Sequence, residues 1–99
     1  MNHGTKTLPR ALACEAINVV LNLAENRVRA CEGPAAERAL ATLCGIHGSV
    51  GRFNDGCVDR KNLMVEVGSS MPAVDDIDGI NSVVIDALVA AYALLEVSE

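Results

Sequence analysis

The stretch VVIDALVAAYALLEV, residues 83–97, holds only two charged residues, Asp86 and Glu96; the other thirteen are Val, Ile, Ala, Leu and one Tyr. Wound as a helix it is apolar nearly all round, and such a helix needs cover from a core, a membrane or a second subunit. The run from Val83 to Leu95 is interrupted by Asp86 and covers 13 residues, short of the roughly 20 that a bilayer requires. A membrane span is not expected, and the choice narrows to core and subunit interface. Upstream, Asp75, Asp76 and Asp78 put negative charge where a helix first turn favours it. The C-terminal helix is therefore expected from these residues to about Val97, with Gly79 inside it as a kink that costs about 1 kcal/mol relative to Ala.

At the other end, polar residues recur as Glu15, Asn18, Asn22, Glu25, Arg29 and Glu32, at gaps alternating between three and four. That is one stripe along a helix. Leu12, Ile17, Val20, Leu21, Leu23, Ala24 and Val28 occupy most of the remaining surface. A first helix over about 9–32 follows, opened by Pro9 and ended by Gly33-Pro34. A second is expected over about 34–44, with Ala36, Ala39, Leu40 and Leu43 on one side and Gly45 or Gly48 as its end. So short a link predicts an antiparallel αα-hairpin. Residues 45–57 carry glycine at 45, 48, 51 and 56 and read as a Gly-rich central loop with a turn at Asp55-Gly56.

Residues 57–67 fit two patterns. Leu63, Val65 and Val67 alternate as in a strand, whereas Cys57, Lys61, Met64 and Val67 keep helical spacing. No strong partner strand exists elsewhere, so a short helix is favoured; a short β-hairpin within 52–67 is the competitor. The expected fold class is all-α: one helical domain over residues 1–99, a small bundle in which 1–7 fray.

Of 99 residues, 57 are apolar or Gly, above the usual 45–50% and more than a chain this short hides easily. Net charge is −5. An acidic chain whose Arg52, Arg60 and Lys61 are interspersed with Asp55 and Asp59 does not suit nucleic acid. The cysteines at 14, 31, 44 and 57 show no C-x-x-C spacing, which excludes compact zinc and redox signatures. They are read as reduced and mostly buried small hydrophobes in a cytoplasmic protein. Leu12-Ala13-Cys14 resembles a lipidation box only faintly, since Thr-Lys-Thr-Leu-Pro-Arg at 5–10 supplies no apolar run before it.

No catalytic, cofactor or metal site is expected. Cys44 and His47 pair a nucleophile with a base three residues apart, but nothing in the sequence orients the imidazole, and Gly45 is read as a helix break. Adding Cys31 and Cys57 gives zinc-type ligands in no known compact spacing. Gly45-x-x-Gly48-x-x-Gly51 lacks the Lys-Ser/Thr of a phosphate loop, and His47–Gly51 matches a nucleophile elbow only loosely. Asp76, Asp78 and Gly79 fail as a calcium loop, because Val74 and Ile85 stand where carboxylates should.

Three functions follow in order of preference. The first is a non-enzymatic, self-associating interaction module, a homo-oligomer and most simply a two-fold dimer, with a further protein partner allowed. Its expected interface residues are Val84, Leu88, Ala91 and Leu95 of the last helix with Ile17 and Val20 of the first; Ala87, Ala90 and Ala91 would let helices approach closely. The second is an apolar-ligand binder with a cavity near Met64, Met71 and the glycine loop. The third is a metal-dependent hydrolase in which Asp75, Asp78 and Asp86 converge with Glu15 or Glu25. Asn18 and Asn22, one turn apart on the first helix, either set helix register or form a solvent-facing edge.

Overall fold

The computed structural model describes residues 7–72 and 79–98. They form four helices: α1 (Arg10–Arg29), α2 (Pro34–Asn54), α3 (Arg60–Ser69) and α4 (Ile80–Glu96). Among the described residues there is no sheet, only an isolated bridge between Leu8 and Ser98. The small all-α bundle is what the sequence predicts. Helix α1 packs between α2 and α4, while α3 lies across α4 and α2.

Helix α1 opens after Pro9 and ends in Arg27 and Arg29, cations placed where the carbonyl end of a helix attracts them. Its buried line is Ala13, Cys14, Ile17, Leu21, Ala24 and Val28, a 3–4 spacing that gives one covered face. Gly33, at φ 107°, turns the chain, and Pro34 starts α2 in the first-turn position that suits its missing N–H.

Helix α2 is the main correction. It does not stop at Gly45 or Gly48 but runs to Asn54, so residues 45–54 are helix, not loop. The reason lies in the apolar residues. Leu43, Ile46, Val50 and Phe53 are all buried, and their gaps of 3, 4 and 3 continue the buried stripe through the glycines. Tertiary burial outweighs the propensity cost of three glycines, about 1 kcal/mol each. The chain turns only at Gly56, whose φ of 83° is left-handed.

The β-hairpin alternative within 52–67 is likewise set aside: residues 52–54 end α2, and 60–69 form α3. Asp59 caps α3, its Oδ1 accepting from the Asn62 N–H at 2.7 Å, which satisfies one free first-turn donor. Leu63 and Val67 bury its inner side, and Val65 points out at 62% exposure. Alternation at 63, 65 and 67 therefore reports one helix turn with an exposed neighbour.

Helix α4 begins at Ile80. Gly79, at φ 75°, is the residue before its first turn and not an interior kink. The acidic start expected at Asp75, Asp76 and Asp78 lies outside the described residues. Ile80, Val84, Ala87, Leu88, Ala91 and Leu95 face inward. The last turn is tied down from two sides. Arg60 donates to the carbonyls of Ser98 at 2.8 Å and Glu96 at 3.4 Å, and Leu8 N–H donates to the Val97 carbonyl at 2.7 Å. These bonds satisfy C-terminal carbonyls left over by the helix and fix the start of α1 beside the end of α4, so the two helices run antiparallel.

Candidate functional site

Of the six residues expected at an interface, Val84, Leu88, Ala91, Leu95 and Ile17 are each no more than 2% exposed within a single chain, and Val20 is half-buried. The structure thus places five of them in the chain's own core, against neighbouring helices. Ala87 and Ala91, expected at a close helix approach, are also covered within the chain, whereas Ala90 is half-buried.

The surface lies a step round each helix. On α1, Leu12, Val19 and Leu23 stand 51%, 58% and 61% exposed, at gaps of 7 and 4 that place them on one face. Beside them runs an open groove of about 180 Å3 between α1 and α4, lined by Val20, Leu23 and Ala24 on one side and Val83 and Ala87 on the other. Two charged residues, Arg27 and Asp86, border it, and neither makes an ion pair among the described residues. Beyond the groove, the outer side of α4 continues with Val89 and Ala93, both exposed. The result is a ridge of large side chains on α1 next to a lower strip on α4, with Arg27 and Asp86 as the charged residues of the groove between them. Large apolar side chains exposed side by side are a feature of interaction surfaces.

The opposite flank of α1 carries a polar cluster that sequence reasoning missed. Glu25 is 5% exposed. His47 Nδ1 lies 2.6 Å from Glu25 Oε2, and Arg29 Nη2 donates to Oε1 at 3.3 Å. A carboxylate only accepts, so Nδ1 carries a proton and donates it. The bond joins α1 to α2 and gives a covered carboxylate the partners that it needs. Twenty-two residues separate the pair, and only the antiparallel packing of two full-length helices brings them together. A second cluster joins α2 to α3: Ser49 donates to Glu66 Oε2 at 2.7 Å and accepts from Arg52 at 2.8 Å. The polar stripe of α1 is therefore not uniformly a solvent edge. Glu25 is inside, and Asn18 is half-buried with an Oδ1 that has no partner among the described residues.

Of the cysteines, only Cys14 is buried; Cys31, Cys44 and Cys57 are exposed, and all four are free thiols. Burial pushes the Cys14 thiol up from its ordinary value of 9.0, against a smaller opposing pull from Arg10. The expectation of mostly buried thiols fails because Cys31 follows the end of α1, Cys57 sits between α2 and α3, and Cys44 lies on the outer side of α2.

The acidic set does not assemble where the structure describes it. Asp86 borders the α1–α4 groove, Glu15 is exposed, and Glu25 turns to His47 on α2. Among the described residues no three His, Cys, Asp or Glu side chains gather as a metal site. Met64 packs on the core. Met71 lines an open groove of about 430 Å3 between α3 and α4, with Gly68, Val89, Tyr92, Ala93 and Glu96. The glycine segment expected to close over a ligand is part of α2. No helix is long and apolar enough to cross a membrane among the described residues.

Comparison of the chain with protein-family models, with curated proteins and with solved structures found no match.

Proposed function

We propose that this protein is a self-associating interaction module whose partner is a second copy of itself, docked on the α1–α4 face. The observation that carries the reading is the row Leu12, Val19 and Leu23, each more than half exposed, beside an α4 surface of Val83, Val89 and Ala93. A two-fold axis lays the α1 ridge of one copy over the lower Ala-bearing strip of α4 on the other, so each contact is made twice. The role in the cell is assembly, with no chemistry of its own required at this surface.

Leu23 sets the scale. Covering a fully exposed Leu is worth roughly 1.5–3 kcal/mol; at 61% exposure the share still available is about 1–2 kcal/mol, and a two-fold dimer counts it twice. Leu23→Glu is therefore expected to weaken dimerisation by about 2–4 kcal/mol, roughly 30- to 1000-fold in Kd. Sedimentation velocity over a concentration series tests this. The wild-type chain sediments as a dimer, Leu23→Glu shifts to monomer, and Val65→Glu, an equally exposed site on α3 away from the face, leaves the dimer intact. Equal behaviour of the two variants contradicts the assigned face.

The apolar-ligand reading has one observation in its favour, the groove lined by Met71, Val89 and Tyr92. It opens along the surface between two helices, a shape that suits a flat or elongated apolar group more than an enclosed ligand. Thermal shift against a panel of aromatic and aliphatic compounds tests it: a stabilised hit lost in Tyr92→Ala supports the reading, and no hit removes it.

A further inference from the structure

The flank of α2 that carries His47 has features that neither its core packing nor the α1–α4 face uses. Glu25 holds His47 through Nδ1 at 2.6 Å. This fixes the ring and leaves Nε2 as the free nitrogen, with no partner among the described residues. The side chain of His47 remains 25% exposed. One turn earlier on the same helix stands Cys44, an exposed free thiol. Side chains three apart on a helix have Cβ atoms about 5–6 Å apart, and with the His47 ring held by Glu25, rotation of the exposed Cys44 side chain is the movement that would bring sulfur toward Nε2.

The glycines complete the picture. In a helix each side chain leans back over the turn before it. A side chain at 48 would cover Cys44, and one at 51 would cover His47; both positions are Gly. Packing does not demand this. Nothing lies within 4 Å of a Cβ built at Gly51, and at Gly48 only the tip of Arg52 approaches, at 3.7 Å. Neither position adds a side chain of its own over the pair, at a cost in helix propensity.

We propose that Cys44 and His47 form a binding site for a thiophilic divalent cation of the zinc class, with Glu25 as the positioning residue behind the histidine. Thiolate sulfur and imidazole nitrogen are the ligands that such ions favour. A carboxylate on the far ring nitrogen is the arrangement that orients metal-binding histidines and raises their basicity. On binding, the Cys44 S–H proton passes to solvent, a sulfur–metal bond forms, His47 Nε2 donates its lone pair, and two waters leave the ion. Two protein ligands leave the remaining positions to water, so the ion is exchangeable and open to a third ligand. The site stands on α1 and α2 of one chain and does not depend on self-association.

Cobalt(II) is the probe, because its sulfur charge-transfer absorption in the near ultraviolet reports thiolate ligation directly. The full chain is reduced, freed of chelator and titrated with cobalt, then with zinc as competitor. Saturable binding of one cobalt per chain with the sulfur band is expected, and zinc abolishes the band. Cys44→Ser removes the band; because Cys44 is exposed, this variant keeps its helical circular dichroism. Cys31→Ser and Cys57→Ser bind like wild type. Glu25→Gln keeps the sulfur band but weakens affinity about 10- to 100-fold, the usual loss when such a partner is changed. No saturable binding at millimolar cobalt overturns the proposal, and so does a band that survives in Cys44→Ser.

Discussion

Replacing Gly45 and Gly51 together by alanine is expected to stabilise this protein substantially. Both sit in the interior of α2, and an added Cβ at either meets nothing within 4 Å. Neither has a positive φ, unlike Gly33, Gly56 and Gly79. The folded state therefore accepts the methyl without strain, while the unfolded chain loses freedom. Each exchange is worth about 0.8–1.0 kcal/mol in a helix interior. The sites are six apart and share no neighbour, so the effects add to about 2 kcal/mol. For a domain of this size, 1 kcal/mol moves Tm by about 4–8 °C, giving about 8–16 °C for the pair. Differential scanning calorimetry and urea unfolding of the double variant measure it, with Gly33→Ala as the contrast. Gly33 has a φ of 107°, so its alanine variant is expected to lose stability. A double variant no more stable than wild type would refute the reasoning, since it would mean that 45–54 is not helix in solution or that something packs against those bare positions.

Other consequences follow from single contacts. Leu88→Ala, at a fully buried position, should cost about 2–5 kcal/mol, read as a lower urea midpoint at unchanged slope. His47→Leu leaves the covered Glu25 carboxylate with Arg29 alone and should cost about 1–3 kcal/mol; if stability is unchanged, the α1–α2 bond is not formed in solution. In the native protein, Cys31, Cys44 and Cys57 should react quickly with a thiol reagent and Cys14 only after unfolding, so two fast-reacting thiols or four would contradict the structure. The Cys14 thiol titrates above its ordinary value of 9.0 when folded. The unfolded chain therefore ionises it first, and its contribution to stability is complete below pH 9 and lost as pH rises through the folded value. Cys14→Ala should flatten that alkaline decline.

The bundle was legible where apolar spacing and chain breakers agreed. Gly33-Pro34 ends one periodic run and starts another, and the structure turns there. At Gly45, Gly48 and Gly51 the two signals conflict. The glycines suggest a loop, but Leu43, Ile46, Val50 and Phe53 keep helical spacing across them, and burial of those four prevails. At Gly79 the conflict runs the other way: the apolar run suggests a helix interior, but the left-handed backbone there precedes the helix. The six expected interface residues rest on a surplus of apolar side chains over what one short chain can cover. Such a surplus does not fix which side chains stay outside. The chain covers Val84, Leu88 and Ile17 itself and leaves Leu12, Val19 and Leu23 outside. The Glu25–His47 pair was beyond reach of local spacing, because it exists only once α2 extends past Gly45 and lies antiparallel to α1.

The most direct measurement of the central claim is the mass of the wild-type chain by light scattering on a sizing column at micromolar concentration. Self-association through the α1–α4 face predicts a monodisperse species of twice the chain mass of 10.4 kDa. A monodisperse species at 10.4 kDa, unchanged as concentration rises, would show that Leu12, Val19 and Leu23 remain in water, and would contradict it.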